Sequence, residues 1–304
     1  MKADTFSEHR VIVGGLSTLY LEAGTGPVLL LLHGNVTTFR SWRRIAAEFQ
    51  TTHRVLAPAL PGYGNTSPLA ELSLDGMVSF LADFLDVLSI DKAILLGHSA
   101  GGLLAGAFAL AHPERVTRLV LANSAGLGRA ASPFLLACSL PPDWVVDLAI
   151  AALLLPGSGI ARALIGGFQL RRPWSVTTRE WRDQIRMTQT RTLLSTSFRA
   201  ARMAVGLTGQ RSAYRIDDRL GELRMPTLLI WGLTDELYPF WQGVRAARKI
   251  RHGRSVVLVS AGHISYLDNF VEFVDVLSTF VRDELHTLSM VDGTGPPTAK
   301  ERER

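Results

Sequence analysis

Short apolar runs rich in Val, Ile and Leu alternate along the chain with longer stretches in which apolar side chains recur every three or four positions. The short runs predict strands over residues 10–13, 17–22, 28–32, 54–57, 93–96, 116–122, 227–231 and 255–259. The longer periodic stretches predict helices over 40–50, 74–89, 100–111, 240–249 and 266–285. Between the first two strands a Gly14-Gly15 turn leaves room only for a hairpin. The other strands are separated by helices, which calls for parallel neighbours covered on both faces. The expected fold class is therefore α/β, with a mainly parallel central sheet of about eight strands flanked by helices.

The alternation breaks once. From residue 124 to 221 no strand pattern is convincing, while helical patterns recur, notably over 180–204. The expected organisation is a core made from residues 1–123 and 222–286, a helical cap inserted as 124–221, and a tail, 287–304, whose Gly-Pro-Pro and alternating charges predict disorder. Charge marks the same segment. The whole chain is +5, yet between Ala125 and Leu220 thirteen arginines and no lysine face six acids, a local surplus of +7. Arg179, Arg182, Arg186, Arg191, Arg199 and Arg202 either keep an amphipathic cap solvated, with their stems over apolar neighbours, or attract an acidic substrate or an anionic surface.

The basic balance does not signal nucleic acid, because no Lys/Arg block and no interleaving of basic and aromatic residues accompanies it. The apolar stretch 144–155 contains Asp147 and stops at Pro156-Gly157, short of the roughly 20 residues that span a bilayer. It predicts a lid helix and no transmembrane segment, with peripheral membrane contact through the basic cap as the weaker alternative. The first residues have no apolar leader core, and the one cysteine, Cys138, lies in an apolar stretch as a small hydrophobe expected to be buried. A cytoplasmic location is the expectation.

Candidate chemistry centres on Gly97-His98-Ser99-Ala100-Gly101, which joins an apolar strand to a small-residue helix. Glycines two before and two after Ser99 permit a turn too tight for side chains, and the turn lifts the Ser99 hydroxyl out of the packed core. A serine hydroxyl needs a base to become a nucleophile. His263 follows the last strand and so emerges at the sheet edge where Ser99 emerges, since all strands of a parallel sheet end on one side. Asp235, in the loop after the preceding strand, is the acid that would orient it. Glu236 is its less suitable neighbour, and Asn123, at the end of another strand, has no charge to offer an imidazolium. An oxyanion would be held by two backbone N–H groups, from Ala100 at the start of the helix and from Asn35 in the loop His33-Gly34-Asn35-Val36. His33 is expected to brace that loop, and His98 to pack or to wall the pocket.

These motifs in this order, over about residues 6–286, resemble the α/β-hydrolase fold family with an inserted cap. The resemblance implies a Ser-Asp-His triad of Ser99, Asp235 and His263, an acyl-enzyme, water as second nucleophile, and neither cofactor nor metal. Val36 departs from a common version of the pattern, where proline stands. Asn35 under a cap is similar to the halide-binding position of haloalkane dehalogenases, but those enzymes and the epoxide hydrolases attack with a carboxylate, whereas Ser99 stands here. The expected activity is hydrolysis of carboxylic esters with apolar acyl or alcohol groups, a small-molecule substrate suited to the apolar cap. Alternatives on the same triad are a C–C bond hydrolase, a thioesterase, a lactonase and a cofactor-free perhydrolase. A ligand receptor that retains the triad is the alternative that is not an enzyme.

Overall fold

The computed structural model describes residues 6–64, 66–167, 169–187 and 190–282. Its strands are β1 (Ser7–Val13), β2 (Leu16–Ala23), β3 (Val28–Leu32), β4 (Arg54–Pro58), β5 (Ala93–His98), β6 (Val116–Ala122), the two-residue β7 (Val205–Gly206) and β8 (Gly209–Gln210), then β9 (Thr227–Gly232) and β10 (Gly253–Leu258). Eight of them form one sheet in the order β1-β2-β4-β3-β5-β6-β9-β10. β1 and β2 form the expected hairpin, β2 meets β4 antiparallel, and every later neighbour is parallel.

Alternate residues of the buried strands feed two separate cores. Leu30, Leu32, Leu95, Leu121 and Trp231 point to one face, where Phe84 of α2 (Leu74–Val87), Phe108 of α3 (Ala100–Ala111) and Ala246 of α9 (Phe240–Lys249) cover them. Leu29, Leu31, Ile94, Leu96 and Ile230 point to the other, under Ile45 of α1 (Arg43–Phe49) and Phe273 of α11 (Phe270–Arg282). Burying a Leu or Ile side chain on either face is worth about 2 kcal/mol, so slipping a strand by one residue would exchange the two cores at prohibitive cost. That fixed register sets Leu32 beside Gly97 and His98 beside Ala122, and so places the loops after β3, β5 and β6 side by side.

Several boundaries differ from the sequence expectation. The helix expected over 40–50 opens as a 3-10 turn, Phe39–Trp42, because Thr38 accepts from Arg40 N and tightens the entry before α1 begins. The helix expected over 266–285 is broken at Asn269 into α10 (Ser265–Asp268) and α11. The cause is tertiary, since the Asp268 carboxylate accepts from the backbone N–H groups of Gly262, Arg171 and Arg172 and anchors α10 as a separate turn. The tail 287–304 lies outside the described residues.

Between β6 and β9 run α4 (Pro133–Ser139), α5 (Asp143–Leu154), α6 (Gly159–Gly167), α7 (Thr178–Met187) and α8 (Arg191–Ala204). The pattern over 180–204 is thus two helices, the second capped by Thr190, which accepts from Leu193 N. Strand pairing also occurs where none was expected, as the short β7–β8 hairpin. Its reason is one side chain: Gln210 accepts from Gly126 N and donates to the carbonyls of Gly128 and Ala130, clamping the hairpin to the chain that leaves β6. Among the described residues no single helix is long and apolar enough to cross a membrane.

Candidate active site

Ser99 adopts φ 54° and ψ −119°, a region that side chains with a Cβ rarely occupy. The sequence enforces it. A Cβ on Gly97 would lie 2.1 Å from the Gly101 carbonyl oxygen, and a Cβ on Gly101 would lie 2.4 Å from that of Leu32, so only glycine lets the turn close. Ser99 N donates to Ala122 O (3.0 Å), and Ser99 O accepts from Gly102 N and Ala125 N, which ties the strained residue to β6 and to the first turn of α3. The hydroxyl makes no hydrogen bond among the described residues and borders a cavity.

The loop after β3 lies directly against this turn. A Cβ on Gly34 would sit 2.8 Å from His98 Nδ1 and 2.9 Å from Ser99 Cβ. Asn35 follows, and Val36 takes a left-handed φ of 58°, held by its N–H donating to Asn35 Oδ1 (3.1 Å). Tyr63 OH donates to the same oxygen at 2.6 Å, and Asn35 Nδ2 donates to Ser197 O of α8 at 3.0 Å. Both polar atoms of the Asn35 side chain are therefore engaged, while the backbone N–H groups of Asn35 and Ala100 donate to nothing among the described residues. His33 braces the loop from beneath: Nδ1–H donates to Gly34 O (2.9 Å) and Nε2 accepts from Leu60 N (3.2 Å). Burial pushes its pKa down to about 4, which keeps it neutral.

His263 and Asp235 meet at the same edge. His263 Nδ1 lies 3.0 Å from Asp235 Oδ1 and 3.1 Å from Oδ2, with both side chains buried. Oδ1 also accepts from Leu237 N (2.8 Å) and Tyr238 N (3.0 Å), and Oδ2 from Asn123 Nδ2 (2.8 Å). Burial pushes the Asp235 carboxyl up, but His263, Asn123 and the Tyr238 amide outweigh it, and the net shift is downward. An ionised Asp235 fixes the Nδ1–H tautomer and leaves Nε2 as the free, basic nitrogen. Glu236 makes no bond to the ring, and burial followed by the nearby Asp235 charge raises its carboxyl. His98 is fully buried packing, not pocket wall. Its ring centre lies 4.8 Å from that of His263, the two planes tilted by 53°, and its Nε2–H donates to the His263 carbonyl (2.9 Å), so the residue before Ser99 holds the loop that carries His263.

The cavity beside Ser99 measures about 300 Å³ and is walled mainly by apolar groups, among them Leu103, Phe134, Leu153, Leu194 and Phe198. Cys138 lines it and is only half-buried, a correction to its expected place in a core. A larger cleft of about 580 Å³ beside Trp241 and Arg129 touches none of these site residues. Sequence reasoning placed Ser99, Asp235, His263, Asn35 and Ala100 at one edge, and the structure brings them there. It missed Tyr63 and Ser197 as the supports of Asn35, and Asn123 as a donor to Asp235. Asn123 was visible at the end of β6, but nothing local told which way its amide turns.

A sequence model of the α/β-hydrolase fold matches residues 27–270, and the chain belongs to that family. Among its relatives, the pimeloyl-[acyl-carrier protein] methyl ester esterase of Aeromonas hydrophila is 30% identical over 263 residues, covering 85% of this chain and 96% of the relative. The 2-hydroxymuconate semialdehyde hydrolase of a Pseudomonas species is 28% identical over 286 residues, covering 90% and 94%. Among solved structures, the 2-hydroxy-6-oxo-6-phenylhexa-2,4-dienoate hydrolase of a Rhodococcus species superposes with a TM-score of 0.76 at 21% identity, over 91% of this chain and 99% of that one. At that identity the likeness speaks for the fold alone. The family makes this chain one of a superfamily of hydrolases.

Proposed function

We propose that the protein is a serine hydrolase that cleaves carboxylic esters with apolar acyl or alcohol groups, working through an acyl-enzyme. The observation that carries the reading is the buried Asp235–His263 pair at the same sheet edge as a strained serine that borders an apolar cavity. In this reading His263 Nε2 takes the Ser99 proton as Oγ attacks the ester carbonyl, and the oxyanion is met by the N–H groups of Asn35 and Ala100. The imidazolium then gives its proton to the departing alcohol. Water repeats the sequence on the acyl-enzyme, its proton going to Nε2, and releases the acid. Neither Ser99 Oγ nor His263 Nε2 has a hydrogen-bond partner among the described residues, as is common before substrate draws such groups together. We read α4–α8 as the cap that roofs the cavity, with residues 124–221 as the insertion and 1–123 with 222–286 as the core.

A second reading has support in the relative named as a semialdehyde hydrolase: the same residues would cleave a C–C bond beside a carbonyl. The experiment is a panel of short-chain p-nitrophenyl esters, thioesters, lactones and vinylogous diketones offered to purified protein and to Ser99→Ala. Ester turnover that vanishes with Ser99→Ala supports the first reading; cleavage of the diketone alone favours the second. Binding of the panel without turnover of any member would make the chain a receptor.

A further inference from the structure

The cavity beside Ser99 has one charged side chain in its wall, Arg162 of α6, and that charge has no counter-ion among the described residues. Arg162 is 8% exposed. Its Nη1 donates to the Leu153 carbonyl and to Ser158 Oγ (2.6 Å), both neutral, while Nε is buried with no partner. Other arginines of the same basic segment are arranged differently. Arg191 pairs with Asp147 (3.0 Å), Arg202 with Asp143, and Arg215 with Asp217 (3.1 Å), all with more of their side chains in water. A guanidinium shut away from water without a carboxylate is costly, and a fold keeps one where something else supplies the negative charge.

We propose that the substrate supplies it. Resting on the hydrolase reading, the inference names the substrate class: an ester whose apolar span ends in a carboxylate, held by Arg162 while the ester carbonyl sits at Ser99. The free edge of the guanidinium, Nε with Nη2, matches a planar carboxylate in two-point contact. A phosphate dianion would call for a second cation, and none other lines this cavity. Most of the remaining wall suits the span between the two ends, since Phe134, Leu135, Leu153 and Phe198 offer no hydrogen-bonding side chains. The +7 surplus around the cavity, puzzling for a neutral ester, would concentrate an anion at its mouth.

The test separates binding from turnover by using the Ser99→Ala protein. Monomethyl esters of dicarboxylic acids of increasing length are titrated by calorimetry against methyl alkanoates of matched length. At one optimal length the acid-bearing ester is expected to bind about 10- to 100-fold tighter than its neutral match, the value of a charge-assisted pair. In the Ser99→Ala/Arg162→Gln protein that ratio should collapse toward one, and Arg162→Lys should restore part of it. A ratio near one at every length before Arg162 is touched would overturn the proposal. So would an equal loss for both ligand series in a folded Arg162→Gln protein, with folding checked by near-UV circular dichroism. If the acid-bearing esters bind as expected but intact protein never hydrolyses them, the hydrolase reading fails and the carboxylate site stands.

Discussion

His98 makes the stability of this fold sensitive to acid in a way that one substitution can isolate. Its Nε2–H is committed to the His263 carbonyl, and its Nδ1 is buried without a partner. A proton on Nδ1 would find no acceptor, and burial, then the neighbouring His263, hold its pKa down to about 3 against 6.5 for a free histidine. The unfolded chain therefore takes up a proton near pH 6.5 that the folded chain refuses. Stability from this group is complete above that pH and is lost as pH falls toward about 3, at up to about 1.4 kcal/mol per pH unit. By about pH 5 the loss from His98 is about 2 kcal/mol. His98→Gln keeps an N–H for the carbonyl but does not titrate. Urea denaturation of both proteins at about pH 7.5 and about pH 5 should show the natural sequence losing about 2 kcal/mol more than the variant over that interval. His33 and the carboxylates contribute to both proteins and cancel. Parallel pH profiles would refute the reasoning, because they would mean that His98 accepts its proton as readily folded as unfolded.

A fluorophosphonate probe read by intact mass should add once to the protein and not to Ser99→Ala; a persisting adduct would place the nucleophile elsewhere. Asp235→Asn should lower ester turnover by about 10⁴-fold through the wrong His263 tautomer, while Glu236→Gln stays within a few-fold, and the reverse pattern would reassign the acid. Asn123→Leu strips a donor from Asp235 and an acceptor from Ser265 Oγ, which donates to it at 2.6 Å. Thermal and urea unfolding should show a cost of about 2–4 kcal/mol.

The sheet was legible in the sequence because strands buried on both faces are written as unbroken apolar runs; β3 and β6 begin and end where the runs do. The placement of Ser99, Asp235 and His263 was legible for a related reason. Each follows a strand of one parallel sheet, so topology alone sends all three to one edge. What escaped notice depends on contacts between distant residues. The break at Asn269 follows from Asp268 reaching the amides of Arg171 and Arg172, nearly a hundred residues earlier, and the β7–β8 hairpin from Gln210 reaching Gly126. Arg162 is, in the sequence, one of thirteen arginines between Ala125 and Leu220. Its isolation is a property of burial, which no local pattern encodes.

Asn35 joins two parts of the molecule with different duties. Its backbone carries one of the N–H groups left open beside Ser99, and its amide holds the Ser197 carbonyl of α8, part of the cavity's wall. Were α8 to move away, that bond would break and leave Asn35 Oδ1 with Tyr63 OH and Val36 N, on a loop already strained at Val36. The loss is of the order of 1 kcal/mol, small beside ligand-binding energies. Cavity and loop thus share one bond: an occupant that pushed α8 outward would also slacken the loop that presents the Asn35 N–H.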